Sequence, residues 1–210
     1  MTTLALALAT TIKHDGHGGV ADLLSTPEQA SAWFRTYDPL VRDVLGAEPV
    51  EPDFFQADLL RVRRAVRALF ARAVPGAPSK ADAHRLMDAD DALRMLNRAA
   101  GRLGTTHLDW PADGTPVLRW SGRTDDPTAL LIGAIARSTI DFLTSPDRER
   151  LRACPAARCV KYFVQDDPRQ TWCSPSCGNR ERVNRHYRKR TTATEPPDTG
   201  ADKGADNLAP

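Results

Sequence analysis

The sequence predicts a mainly α protein of the α+β class: a helical N-terminal domain with one small hairpin, followed by a compact unit built around four cysteines. Three observations lead there. Apolar residues recur at helical spacing through most of the first 146 residues. All four cysteines fall between positions 154 and 177. The charge is divided in the same way. Residues 1–147 carry 16 basic and 19 acidic side chains, net −3; residues 148–190 carry 12 and 4, net +8; residues 191–210 return to −3. The near-neutral +2 of the whole chain averages these three parts. We therefore divide the chain into an α-rich domain over 1–146, a cysteine unit over 147–190 and a disordered tail over 191–210.

A length of 210 residues with 41% hydrophobic and 27% charged residues allows a real core and excludes collagen-like and wholly disordered classes. The alternation of Leu4, Leu6 and Leu8 with smaller residues up to Ile12 reads as a half-buried strand. It is not read as a signal peptide, because the first cation is Lys13. No run of 18 apolar residues predicts a membrane span. His14 to Gly19 reads as a solvated, Gly-rich turn, with His14 and His17 not a metal pair. Thr26-Pro27 opens a helix through Trp33 and Phe34 that should stop before Pro39.

The next helical stripe starts after Asp53 with Phe54, Phe55, Leu59, Val62, Val66, Leu69 and Phe70, and ends at Val74-Pro75. Its polar side, with Arg61, Arg63, Arg64, Arg67 and Arg72, is expected to be solvated or salt-bridged. Ser79 with Asp82 resembles a capping box for a stretch reaching Gly101, which Asp88 to Asp91 divides. His84 should lie at the surface. Thr105–Trp110 and Thr115–Trp120 flank Pro111-Ala-Asp-Gly114 as a hairpin, with His107 in a packing role. Asp126-Pro127 caps a last helix that ends at Ser145-Pro146, and a charged connector follows.

Cys154 and Cys159 are followed after thirteen residues by Cys173 and Cys177. Two short loops, each delivering a thiolate pair, suit the four tetrahedral corners around Zn²⁺. Two disulfides or four unrelated buried thiols are the alternatives, and iron–sulfur ligation is a second metal chemistry. Four thiolates leave no position for water, so a zinc ion here is structural. The spacer should form a hairpin, with Val160–Val164 as one strand, Asp166-Asp167-Pro168 as the turn and Gln170–Trp172 returning. Cysteines confined to one segment, unlike a secreted disulfide scaffold, place the chain in the reducing cytoplasm.

Ser174 and Pro175 open a helix that continues to Arg190 without a breaker. Val183 and Tyr187 share a face with Arg180, while Arg182, Arg185 and Lys189 share the opposite one. The apolar side is expected to close on Tyr162, Phe163 and Trp172, leaving the cationic side free. Such a rod fits a major groove about 12 Å wide. Arg180, Arg182, Arg185, Arg188, Lys189 and Arg190 are the candidate DNA contacts. A solvated basic helix that binds nothing is the bland alternative.

From Leu151 to Arg190 the chain closely resembles the CGNR zinc finger. The cysteine pair, Tyr162-Phe163, Trp172-Cys173, Cys177-Gly178-Asn179-Arg180 and the basic helix all occur in order. Residues 4–143 are similar to the ABATE domain that accompanies this finger. That likeness rests on Leu4 to Ile12, the Arg-rich helix, the hairpin ending at Trp120 and Ile135-Ala136-Arg137-Ser138. Where the family reads Leu-Asp-Leu-Ala-Asn-Thr, this chain has Ala7 and Thr10 at the Asp and Asn positions, so a polar ligand site using those side chains lacks them here. The resemblance implies a treble-clef-like four-cysteine finger and a cytoplasmic, zinc-containing, DNA-binding transcription regulator linked to stress response. The N-terminal domain would then sense a small-molecule effector or dimerise. A homodimer is expected, because one finger covers at most about 600–1,000 Å². A protein-interaction or RNA-binding module is the second reading. No Ser/His/Asp arrangement, phosphate loop or open metal position is present, so no enzymatic activity is expected.

Overall fold

The computed structural model describes residues 2–15, 19–75 and 80–192, with the side chains of 80, 81 and 188–192 outside the description. The class is the predicted one. The helices are α1 (Leu4–Ala9), α2 (Pro27–Leu45), α3 (Gln56–Ala73), the short α4 (Lys80–Ala83), α5 (Ala89–Gly101), α6 (Pro127–Thr144) and α7 (Pro175–Thr192). Three separate antiparallel pairs join them: β1 (Ile12–His14) with β2 (Val20–Asp22), β3 (Thr105–Asp109) with β4 (Val117–Ser121), and β5 (Leu151–Ala153) with β6 (Tyr162–Val164). Their registers place Ile12 opposite Asp22, Leu108 opposite Leu118 and Leu151 opposite Val164. No described helix is long and apolar enough to cross a membrane. The expected tail from 191 lies outside the described residues beyond Thr192, where α7 ends, and so does His17.

The first segment is a helix, not the expected strand. Thr3 caps it by accepting from the Leu6 N–H at 3.2 Å. Its alternation is Leu with Ala rather than apolar with polar, and both residue types favour helix. Burial on nearly every side removes the need for an amphipathic period. Where the turn of α2 should have stopped, Pro39 sits inside the helix. Its missing N–H leaves the Arg35 carbonyl without an i+4 donor, a break that costs about 3 kcal/mol. Pro39 is exposed, so water can reach that carbonyl, and burying Val41 and Leu45 beyond it returns about 1.5–3 kcal/mol each. Thr26 and Gln29 form the capping box that starts α2, and Gly46 at φ 63° ends it in the left-handed region.

The cap of α6 follows the sequence, and α5 starts where Asp88 to Asp91 divide the expected stretch. Asp88 starts α5 and Asp126 starts α6, each accepting first-turn backbone N–H groups. The Ser79 end of α4 lies outside the described residues. The β3–β4 hairpin forms at the predicted strands, but His107 is exposed and packs nothing into the core. Phe54 also leaves its predicted stripe: it turns out at φ 51° and is 98% exposed, and α3 begins at Gln56. Gly133 lets α6 approach the end of α5 closely, since a Cβ there would lie 3.1 Å from the Ala99 carbonyl oxygen and 2.8 Å from Cδ2 of Leu103 just beyond the helix.

The largest departure lies on α3. Arg63 and Arg67 are salt-bridged, one of the two expectations, but they are buried rather than on a surface face. Arg63 reaches Thr11 Oγ1 at 3.0 Å and grips both Asp22 oxygens at 2.6 Å. Arg67 donates through Nη1 to the Ala9 carbonyl at the end of α1. Through Nη2 it donates to Asp82 Oδ2 at 2.6 Å and to the Val160 carbonyl at 2.7 Å. Its guanidinium also lies 5.0 Å from the centre of the Tyr162 ring. The Nη1 bond satisfies the Ala9 carbonyl, which the end of a six-residue helix would otherwise leave orphaned. The main core runs from α1 through α3 and α6 and includes Leu151 and Tyr162; Phe70 meets the rings of Phe142 at 5.4 Å and Tyr162 at 5.7 Å.

Replacing Arg67 by Ala strands the Asp82 carboxylate in the interior, so the chain should lose about 3–5 kcal/mol of stability. Arg72→Ala removes an exposed pairing with Asp90 at 3.6 Å and should cost under about 1 kcal/mol. Urea unfolding followed by circular dichroism compares the two; equal losses would contradict the assignment.

Burial alone would push the Asp22 carboxyl up. The Arg63 hydrogen bonds, the Leu24 N–H and the charges of Arg63 and Arg85 outweigh it and hold the group below its ordinary 3.8. The stabilisation is therefore present above pH 3.8 and disappears as the pH falls through the lower folded value. Asp22→Asn should melt below the parent at pH 6, with the gap closing in strong acid. A gap independent of pH across a series of thermal melts would refute this.

Candidate metal centre

The first cysteine pair sits where β5 turns back into β6. The Cys154 N–H donates to the Lys161 carbonyl at 2.9 Å, and the Cys159 N–H to the Ala156 carbonyl at 2.9 Å. Arg158 completes the turn at φ 61°, in the left-handed region. The predicted hairpin within the spacer is absent. Tyr162–Val164 pairs back with Leu151–Ala153 instead, because those residues bring Leu151 and Tyr162 into the main core. The 165–170 stretch is a side-chain-braced loop: Gln165 Nε2 donates to the Pro168 and Gln170 carbonyls, and the Asp166 N–H to Gln170 Oε1.

The second pair belongs to the start of α7. Ser174 accepts the Cys177 N–H at 3.4 Å through its side chain and the Gly178 N–H at 3.3 Å through its carbonyl, and Pro175 opens the helix. Cys177 therefore points back at Cys173 from the first turn. The four sulfurs lie within 4.8 Å of one another, and three of the cysteines are buried. Cys159 to Cys173 is 3.8 Å, Cys173 to Cys177 is 3.6 Å and Cys177 to Cys159 is 3.9 Å. A tetrahedron with Zn–S bonds of about 2.3 Å has edges of about 3.8 Å, so the sulfurs stand where zinc needs them. Disulfide pairing is excluded, because all four are free thiols at these separations. The crowding also divides them: hydrogen bonds from Cys159 and Cys173 pull the Cys154 thiol down, and the same contacts push Cys159 and Cys173 up. Four sulfurs this close can all be thiolates only around a cation.

The shell around the sulfurs explains the Cys177-Gly-Asn-Arg180 run. A Cβ on Gly178 would lie 2.9 Å from Trp172 Cδ1, so glycine lets the helix seat against that ring. Arg180 Nη2 donates to Cys177 Sγ at 3.6 Å, with its Nε buried and unpartnered by protein atoms. Glu181 accepts the Ala157 N–H at 2.8 Å, clamping the helix to the first cysteine loop. Sequence reasoning missed Glu181. Its position four residues after Cys177, on the same helix face, was the available signal.

Of the predicted DNA contacts, Arg180 faces the sulfurs, while Arg182 and Arg185 are exposed and Arg182 donates to Asn179 Oδ1. The side chains of Arg188, Lys189 and Arg190 lie outside the described residues. The expected closure of the helix's apolar side does not occur: Val183 is 53% and Tyr187 62% exposed. Tyr162 is committed to the body, Phe163 packs with the cysteines and Trp172 meets Gly178, so no aromatic is left to cover them.

The molecule is thus a helical body joined to a four-cysteine zinc finger whose helix projects from the metal centre. Residues 2–146 match the ABATE family model, described as "Putative stress-induced transcription regulator", and residues 150–190 match the CGNR zinc finger. The first match spans well over half the chain, and the protein belongs to the ABATE family, with a CGNR zinc finger at its C-terminal side. No curated protein matches the chain. Its cofactor is Zn²⁺, for which the four cysteines are positioned.

Arg180→Met removes the donor to Cys177 and should weaken zinc retention by about 10–100-fold, the usual effect of losing such a partner. Arg182→Met should leave retention unchanged. Competition with a chromogenic chelator measures both, and equal retention in the two variants would refute the role given to Arg180.

Proposed function

We propose that this protein is a DNA-binding transcriptional regulator in which zinc fixes the root of α7 and the projecting part of that helix enters the major groove. The observation that carries this reading is the exposure of Arg182 and Arg185 on a helix held by the metal centre at one end only. Arg188, Lys189 and Arg190 extend the same cationic run. Guanidinium groups contact phosphates and take guanine edges bidentately. Arg180 is assigned to the metal centre rather than to DNA. The helical body serves as an effector-sensing or dimerisation module, and the protein acts by binding, not by catalysis.

The exposed Val183 and Tyr187 favour a second reading, in which the same helix docks RNA or an acidic protein. Fluorescence anisotropy with a labelled duplex, competed by unlabelled duplex and RNA, separates the two. Duplex affinity should fall steeply with salt. Arg182→Ala with Arg185→Ala should flatten the log–log salt slope by about two, one for each lost phosphate contact. An unchanged slope and affinity would refute the DNA reading, and RNA displacing the duplex far better than DNA does would establish the second.

A further inference from the structure

Between α3, α5 and the first turn of α6 lies a groove of about 570 Å³, within the size range of small-molecule sites. Met95, Ala99 and Ile132 form its floor. Its rim is cationic: Arg61 from α3 faces Arg94, Arg98 and Arg102, which follow one another at four-residue steps along α5. Only Arg94 is satisfied, by Asp91 at 2.5 Å. Arg61, Arg98 and Arg102 have no ion-pair partner among the described residues, although this part of the chain holds more acidic than basic side chains.

The groove's own carboxylates form no ion pair with Arg61, Arg98 or Arg102. Asp126 caps α6 through the Thr128 N–H at 3.0 Å, and Asp58 stands one turn before Arg61 without pairing to it. Arginines at i and i+4 with no counter-charge repel each other.

We propose that this groove binds a small amphipathic monoanion, with its carboxylate among Arg61, Arg98 and Arg102 and its apolar body on Met95, Ala99 and Ile132. The lining fixes the charge of the ligand. Four arginines against Asp58, Asp91 and Asp126 leave one net positive charge, which matches a single carboxylate and disfavours nucleotides and polyphosphates. The apolar floor disfavours a bare inorganic anion, which would leave it wet.

Isothermal titration of the full zinc-loaded chain with 2-naphthoate tests this, with neutral 2-naphthamide and pyrophosphate as comparisons. The acid should bind, and the amide and pyrophosphate should bind at least about tenfold more weakly. Arg61→Gln with Arg98→Gln should weaken the acid by at least about tenfold. Arg72→Gln, whose exposed side chain pairs with Asp90 away from the groove, should not alter it. Both positions in the double variant are exposed, so its thermal melt should match the parent. Equal affinity for acid and amide, parental affinity in the double variant, or no binding of the acid at about 1 mM would overturn the proposal.

Discussion

The guanidinium of Arg67 has no access to water, and that sets the terms for the rest of the molecule. Removing such a charge from solvent costs several kcal/mol, recovered only when every acceptor is in place. Its acceptors come from α1, from α4 and from Val160 just after the second cysteine, and the ring of Tyr162 lies over it. Moving the finger away from the body would leave a buried cation with half its partners. Tyr162 reports the same dryness: burial, with a further push from Asp82, raises its hydroxyl to about 12 despite the opposing pull of Arg67.

The finger has a core too small to hold it alone. Among its described residues, the cluster around the sulfurs adds Ala156, Phe163 and Trp172 to the cysteines. Two supports compensate. Zinc binding supplies folding free energy directly, and Leu151 and Tyr162 are inserted into the larger core of the body. The direction in which α7 leaves the protein is then set by Cys177, by Gly178 against Trp172 and by the Glu181 clamp. A helix anchored by its first two turns projects with the remainder uncovered, which is why Val183 and Tyr187 stay exposed.

What the sequence made legible was whatever depends on near neighbours. Capping at Thr26, Asp126 and Ser174 is a matter of a side chain reaching N–H groups two or three residues ahead, and the cysteine spacing encodes loops of fixed reach. Most of the misread features depend on contacts distant along the chain. Arg63 and Arg67 look like part of a solvated or salt-bridged surface stripe, and nothing shows their burial until Asp22, Asp82 and Val160 are brought beside them. The segment over Leu4–Ala9 carries a strand-like alternation whose small members are as buried as its large ones. The spacer hairpin failed for a related reason: Tyr162–Val164 had a better partner upstream, in residues that looked like a charged connector.

Positive charge in the finger is also less available than a net +8 suggests. Arg150 is divided between Asp147 at 3.0 Å and Asp166 at 2.9 Å, and Arg152 caps the carbonyls of Glu149 and Leu151. Arg180 is held at a sulfur. The loaded centre itself carries two net negative charges, four thiolates on one dication, which Arg180 and the first turn of α7 face directly. Subtracting these commitments leaves Arg148, Arg158, Lys161 and Arg169 on the body of the finger, and Arg182 and Arg185 on α7, without an ion pair among the described residues. The metal thus does an electrostatic task along with its structural one: it consumes the arginine nearest to it.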